Sequence, residues 1–83
     1  MQVEYSFDAY CNCPVDGLPD VYRVTLYSNR TIPVEEILSH LEFIKTEFVF
    51  QEDLTQNLHR VFNCKVVSCG AHSGVHTKVI AGG

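Results

Sequence analysis

Basic residues are sparse in this sequence, which has six Lys and Arg against ten Asp and Glu and a formal net charge of −4. The six basic residues are scattered along the chain, whereas a nucleic-acid-binding surface needs them clustered. The composition therefore argues against a dedicated nucleic-acid surface. Long apolar runs are also missing, since no stretch approaches the roughly 18 residues that a membrane-spanning helix needs. We expect no contact with a membrane.

The amino terminus lacks a basic segment followed by an apolar one, which is the pattern of a secretory signal peptide. The four cysteines, Cys11, Cys13, Cys64 and Cys69, would suggest a disulfide framework in a secreted chain. Without that signal, we expect a cytoplasmic protein whose cysteines are free thiols.

A length of 83 residues predicts a single domain that spans residues 1–83. Such a short chain buries only about 60–65% of the surface that its unfolded form exposes, so its core is thin. The hydrophobic fraction of 46% still favours folding. Because oligomerisation is a common remedy for a thin core, the sequence favours a homo-oligomer.

Four segments have the composition or alternation of β-strands. Residues 3–9 alternate apolar and polar side chains, and residues 21–27 are rich in β-branched and aromatic ones. Residues 64–69 and 75–80 form a second predicted pair, with a Gly-containing turn at residues 70–74. Both pairs are predicted to be antiparallel.

Two segments between these pairs have helical periodicity. The first follows Pro33, a residue tolerated in the first helical turn, and its apolar stripe consists of Val34, Ile37, Leu38, Leu41 and Ile44. The second covers residues 51–62, and its apolar face consists of Leu54, Leu58, Val61 and Phe62. The element order predicts an α+β fold, a four-stranded antiparallel sheet with two helices on one face. The other sheet face then needs cover, which again points to self-association.

Residues 13–20 read Cys-Pro-Val-Asp-Gly-Leu-Pro-Asp and form a tight loop with a thiol at one end and a carboxylate at the other. Two prolines stiffen the loop and Gly17 lets it bend. A thiol held beside an acid can attack an electrophilic carbon and then protonate the product. Cys13 is therefore the candidate nucleophile and Asp20 the candidate acid, against the alternatives of a packed turn cysteine and a solvated turn aspartate.

This loop resembles the active-site loop of the 7-cyano-7-deazaguanine nitrile reductases, which reads cysteine, proline, two variable residues, glycine, one variable residue, proline and aspartate. Cys13 and Asp20 match its two ends without insertion or deletion. The element order is also similar to the tunnelling fold of these reductases and of GTP cyclohydrolase I, in which subunits join their sheets into a barrel with sites at subunit contacts. The resemblance implies that Cys13 forms a thioimidate with the nitrile and that Asp20 supplies a proton.

The resemblance also implies a substrate-binding glutamate at the start of the second helix, which here is Glu52. One carboxylate can accept two parallel hydrogen bonds from a guanidine-like edge of a purine or pterin. The residue before this glutamate is usually histidine in the nitrile reductases, whereas GTP cyclohydrolase I often has Gln-Glu, as in Gln51-Glu52 here. We predict that Gln51 and Glu52 bind the substrate. A first-turn acid favoured by the helix dipole is the alternative for Glu52.

The nitrile reductases carry a segment near Glu-Ser-Lys-Ser-x-Lys that binds NADPH. The matching residues 34–40 read Val-Glu-Glu-Ile-Leu-Ser-His, so Glu35 matches the glutamate but both lysines are missing. Acids near a cofactor phosphate would repel it. Short relatives without this segment add a nitrogen nucleophile to the same nitrile. We therefore predict no cofactor and the addition of ammonia or water, giving an amidine or an amide in 7-deazaguanine metabolism.

Several alternatives stay open. The protein could be an NADPH-dependent reductase that uses Arg30 or Lys45 as a different cofactor clamp, or a non-catalytic subunit that binds a purine or pterin. The substrate could be free 7-cyano-7-deazaguanine or a nucleic acid that carries it. His72 and His76 flank the last turn and could reach a site at a subunit contact.

A zinc-dependent relative is a further alternative, with Cys11, Cys13, Cys69 and His72 as ligands. Structural zinc sites usually show paired C-x₂₋₄-C spacings, and the C-x-C of this chain with a distant C-x-x-H is a weak substitute. We therefore predict no metal ligands.

Overall fold

The computed structural model of the protein describes all 83 residues. Its elements are β1 (Val3–Asn12), β2 (Pro19–Ser28), α1 (Val34–Ile44), α2 (Gln51–Phe62), β3 (Lys65–His72) and β4 (Val75–Ala81). The strands form one antiparallel sheet in the order β1-β2-β3-β4. Neither helix has the length and the apolar character that crossing a bilayer requires.

Both helices cover the same face of the sheet, with α1 on β1 and α2 on β3 and β4. Between the helices and the sheet lies one apolar core, which consists of Ala9, Cys11, Tyr22, Val24, Leu26, Ile32, Ile37, Ile44, Leu54, Leu58, Phe62 and Val66. The predicted α+β fold with two helices on one face of a four-stranded antiparallel sheet is confirmed.

The buried stripes of the helices are narrower than predicted. Val34 and Leu38 of α1 are 54% and 56% exposed, and Val61 of α2 is 47% exposed. Helix α1 packs against a single strand at the sheet edge, so it buries fewer side chains than a helix that lies across several strands. The prediction that these three residues face the core was therefore wrong.

The loop between the first two strands is shorter than predicted. Strand β1 continues to Asn12 and β2 begins at Pro19, so only residues 13–18 form the connection. Asp20 does not lie in the loop. It lies in β2, where it pairs directly with Cys11 across the ladder. The sheet therefore fixes the backbone of Asp20, while Cys13 lies just beyond the end of β1.

The second hairpin turn is also tighter than predicted. Only Ser73 and Gly74 form it, with φ values of 51° and 84°, which are typical of a two-residue type I′ turn. His72 consequently belongs to β3 rather than to a loop. Since strand side chains alternate between faces, His72 shares the helix-covered face with buried Ser68, whereas His76 lies on the open face.

The Tyr22 ring packs against Gly70 of β3, where the absence of a side chain leaves room for it. A Cβ atom on residue 70 would lie 2.4 Å from a carbon of the Tyr22 ring, which is fully buried. We expect Gly70→Ala to lower the free energy of unfolding by about 1–3 kcal/mol through overpacking. Urea denaturation measures this loss. The neighbouring variant Cys69→Ala, at an exposed position, should change stability by less than about 0.5 kcal/mol. A Gly70→Ala protein as stable as the parent would contradict this account of the packing.

Candidate active site

A cleft of about 470 Å³ lies between the loop after β1, the amino end of α2 and the end of β3. The four residues that the sequence analysis assigned to the site all line this cleft, namely Cys13, Asp20, Gln51 and Glu52. His72 lines it as well, within the same chain. His76 instead lines a separate depression on the open face of the sheet.

Backbone hydrogen bonds at Asn12 bring these segments together. The Asn12 N–H donates to the Glu47 carbonyl at 2.9 Å, and the Val49 N–H donates to the Asn12 carbonyl at 3.1 Å. Asn12 and Phe48 thereby form a parallel bridge outside the main sheet. This bridge holds the segment that leads into α2 against the end of β1. As a result, Glu52 borders the same cleft as Cys13.

The Cys13 loop is closed by its own hydrogen bonds. The Cys13 N–H donates to the Leu18 carbonyl and the Gly17 N–H donates to the Cys13 carbonyl, both at 2.8 Å. The Asp16 carboxylate accepts from the Leu18 N–H at 3.0 Å. This backbone hydrogen bond, followed by one from the Cys13 thiol, lowers the pKa of Asp16. Asp16 therefore presents a carboxylate beside the thiol, a role that the sequence analysis missed because the resembled motif has a variable residue there.

Tyr22 supports Asp20 from the next position on the same strand face. Its hydroxyl donates to the Asp20 carboxylate at 3.2 Å. Burial, and then the charge of Asp20, raise the pKa of Tyr22 well above its usual range. The phenol therefore stays protonated and acts as a donor. Tyr22 had no sequence signal beyond the strand pattern, which places it on the same face of β2 as Asp20 but gives it no functional role.

The two cysteines at the end of β1 differ in environment. Cys11 is 1% exposed, whereas Cys13 is only partly buried. Burial raises the pKa of the Cys11 thiol to about 11, with smaller contributions from Asp20 and Cys13. At neutral pH Cys11 is therefore a protonated core residue. Cys13 is the thiol of the pair that a substrate in the cleft can reach.

We expect alkylation to separate these thiols. Iodoacetamide at neutral pH should modify Cys13 and the exposed Cys69, and should modify Cys11 at least about tenfold more slowly, because thiolate character and access control the reaction. Peptide mass spectrometry with fragmentation distinguishes Cys11 from Cys13. Cys69 serves as the internal reference for an accessible thiol. Modification of Cys11 as fast as Cys13 would contradict the assigned environments.

Gln51 occupies the first position of α2 and is 2% exposed. Its amide nitrogen lies 3.0 Å from the Thr77 carbonyl and 3.3 Å from the Ser68 carbonyl, and its amide oxygen lies 3.1 Å from Nε2 of His72. These contacts connect α2 to both β3 and β4. Substrate binding by Gln51 stays a prediction, and the structure adds that its amide group holds the His72 ring.

Glu52 is exposed in the first turn of α2, where its side chain borders the cleft. The two ion pairs of the chain involve other residues, so the Glu52 carboxylate is available to a ligand. Together with Asp16 and Asp20, it gives the cleft three carboxylates and no Lys or Arg. Such a cleft favours a ligand edge that is rich in N–H donors and repels phosphate.

The basic residues considered as cofactor clamps are engaged elsewhere. The Arg30 guanidinium donates to the Phe62 carbonyl at 2.6 Å, and Lys45 forms an ion pair with Glu42 on α1. Neither of them lines the cleft.

The residues of the considered zinc site do not converge. No group of three or more His, Cys, Asp or Glu side chains is arranged so that it could hold a metal ion. Cys69 is exposed and lines the depression on the open face beside His76, whereas Cys11 is buried near the end of β1 and only Cys13 and His72 line the cleft together.

No protein-family model matches the sequence, and no curated protein matches it either. Among solved structures, the crystal structure of the archaeosine synthase QueF-like in the apo form matches with a TM-score of 0.85 and 19% sequence identity. The alignment covers 96% of this chain and 90% of that chain. The protein therefore has the fold of the QueF-like archaeosine synthase, in agreement with the α+β fold class that the element order predicted.

Proposed function

We propose that the protein is an enzyme that acts on the nitrile of 7-cyano-7-deazaguanine, as the free base or carried by a nucleic acid, through a thioimidate at Cys13. One observation carries this proposal. Cys13, Asp20 and Glu52 lie on three different segments, and all line one cleft in a chain with the fold of an archaeosine synthase.

The first step is the addition of Cys13 across the nitrile. The sulfur forms a bond to the nitrile carbon as one carbon–nitrogen π bond breaks, and the nitrogen takes up a proton. The Asp20 carboxylate takes up the thiol proton of Cys13 and passes it to this nitrogen, so Asp20 ends the step as the carboxylate it began as. Asp20 is half-buried and held by Tyr22, so it has a fixed position from which to transfer a proton.

Glu52 orients the base in this mechanism. Its carboxylate accepts two parallel N–H hydrogen bonds from the guanidine-like edge of the deazaguanine ring. The position of Glu52 at the amino end of α2, across the cleft from the Cys13 loop, supports this role.

The second step resolves the adduct. Ammonia or water adds to the thioimidate carbon and loses a proton, the carbon–sulfur bond breaks, and the Cys13 thiolate leaves. With ammonia the product is an amidine. With water the resulting imidic acid rearranges to an amide. Neither outcome needs an oxidant or a reductant, so the proposed reaction uses no cofactor, and the carboxylate-rich cleft supports addition over the binding of an NADPH phosphate.

A homo-oligomer belongs to the proposal as well. The face of the sheet opposite the helices exposes large apolar side chains, including Tyr10, Val21 and Ile80 at 57%, 50% and 55%. Joining sheets from several subunits would cover this face. Light scattering coupled to size-exclusion chromatography measures the subunit number, and a strictly monomeric protein would contradict this part of the proposal.

Intact-protein mass spectrometry after incubation with 7-cyano-7-deazaguanine tests the function. We expect a mass increase equal to the whole nitrile, because the addition releases no fragment. Product analysis with and without ammonia then distinguishes amidine from amide, and nitrile-dependent loss of NADPH absorbance would instead support the reductase. A protein that forms neither an adduct nor a product would overturn the proposal and favour a binding subunit.

A further inference from the structure

We propose that His72 is the base that deprotonates the incoming ammonia or water in the second step, acting through Nδ1. Gln51 is its positioning residue, because it fixes the ring in one tautomer. This inference rests on the proposed function and assigns a residue to its second half.

The orientation of the Gln51 amide follows from its partners. Its nitrogen lies 3.3 Å from the Ser68 carbonyl oxygen and 3.0 Å from the Thr77 carbonyl oxygen. Carbonyl oxygens only accept hydrogen bonds, so the atom that faces them must be the NH₂ group. The opposite atom, Oε1, therefore faces His72, at 3.1 Å from Nε2. Since an amide oxygen only accepts, Nε2 of His72 must carry a hydrogen.

The hydroxyl groups behind Gln51 allow one consistent arrangement of hydrogens. The Thr55 hydroxyl donates to the main-chain carbonyl of Gln51 at 2.7 Å. The Ser68 hydroxyl, 2.6 Å from that of Thr55, then acts as the donor between the two. The oxygen of the Ser68 hydroxyl in turn accepts a hydrogen bond from the side-chain amide nitrogen of Gln51 at 3.2 Å. All three residues are at most 2% exposed, so water cannot rearrange the network.

A hydrogen on Nε2 leaves the lone pair of the neutral imidazole on Nδ1. Nδ1 makes no hydrogen bond within the chain, and the ring lines the cleft. Tyr22 packs against the ring, with centroids 5.7 Å apart and planes inclined at 47°. The ring is thus held by Gln51 at one nitrogen and by Tyr22 at its side, and its basic nitrogen remains available to a nucleophile.

In the second step His72 first takes a proton from the nucleophile and later gives it to the Cys13 sulfur. As the nucleophile bonds to the thioimidate carbon, Nδ1 takes one of its protons and the ring becomes a cation that Gln51 still supports, because Nε2 keeps its hydrogen. The carbon–sulfur bond then breaks, and the ring returns the proton to the Cys13 thiolate. Ring and thiol end in their starting forms, so the cycle closes without another reactant.

His72→Gln tests this role, because a glutamine amide can still donate to Oε1 of Gln51 but has no basic nitrogen. We expect the adduct to form as in the parent and its conversion to product by water to slow by about 10²- to 10⁴-fold. His76→Gln is the matched control on the open face, and it should resolve the adduct at the parent rate. Circular dichroism checks that both variants fold.

The pH dependence provides a readout that a structural role would not change. Protonation of His72 removes the Nδ1 lone pair, so the decay of the parent adduct should slow on the acid side and the decay in His72→Gln should not. The other titratable groups that line the cleft with His72 are retained in both proteins, namely Cys13, Asp16, Asp20, Tyr22 and Glu52. The difference between the two profiles therefore isolates His72.

The outcomes separate the two proposals. A parent protein without any adduct overturns the proposed function and this inference with it. A parent adduct that decays equally fast in His72→Gln overturns only the role of His72, and so does a His72→Gln protein that forms no adduct, because the residue would then act earlier. Two-bond ¹H–¹⁵N correlation of the parent at neutral pH tests the tautomer directly. A hydrogen on Nδ1 instead of Nε2 would overturn the role of Gln51 as the residue that fixes the tautomer.

Discussion

Cys13→Ala is expected to abolish the mass adduct with 7-cyano-7-deazaguanine and to lower turnover by at least about 10³-fold, since removing a covalent nucleophile leaves only binding and polar stabilisation. The side chain lies at the edge of the cleft and is only partly buried. Truncating it should therefore leave the fold and the binding of the base in place. Isothermal titration can confirm that the variant still binds the nitrile.

Cys69→Ala is the matched control for this experiment. It removes an accessible thiol from the same sheet, but on the open face and outside the cleft, so it should retain both the adduct and the turnover. Cys11 does not substitute for the missing thiol, because burial raises its pKa to about 11. An adduct of unchanged mass and yield on Cys13→Ala would show that another residue is the nucleophile.

Local periodicity was sufficient to predict the type and order of all six elements. Strand and helix patterns depend on neighbouring residues, and the segments predicted as strands or helices overlap the observed ones. The ends of elements were less predictable. Strand β3 continues through Gly70 to His72, because Gly70 leaves space for the Tyr22 ring of the neighbouring strand. This contact joins residues of two different strands, so no local sequence pattern predicts it.

The candidate site was predictable only where one segment carries a motif. The motif in residues 13–20 predicted Cys13 and Asp20, the start of the second helix predicted Glu52, and all three line the cleft. The bridge between Asn12 and Phe48 that joins these segments has no sequence pattern, since it consists of backbone hydrogen bonds outside the main sheet.

The polar partners within the site follow from strand register. Tyr22 reaches Asp20 because the two residues share a face of β2, and His72 reaches Gln51 because β3 runs three residues further than its pattern predicts. A histidine near a turn is uninformative by itself. The orientation and the tautomer of the His72 ring follow only from the position of the buried Gln51 amide beside it.

The remaining large effect concerns Glu52. Glu52→Gln should weaken the binding of 7-cyano-7-deazaguanine by about 10- to 100-fold, because the amide keeps one acceptor and turns an NH₂ group toward an N–H donor of the base. Hydrogen bonds to charged groups contribute about 1.5–3 kcal/mol each. The binding constant of the Cys13→Ala protein, with and without the second substitution, measures this loss free of covalent trapping.

Asp53→Asn is the matched control for Glu52→Gln. Asp53 is the next residue of α2, is also a carboxylate residue exposed in the first turn, and borders a different cavity. Both substitutions remove one negative charge from the same helix end, so their effects through the helix dipole and on stability should be similar. Only Glu52→Gln should weaken binding strongly. Equal losses in the two variants would mean that Glu52 acts through the general charge of the helix end and makes no paired contact with the base.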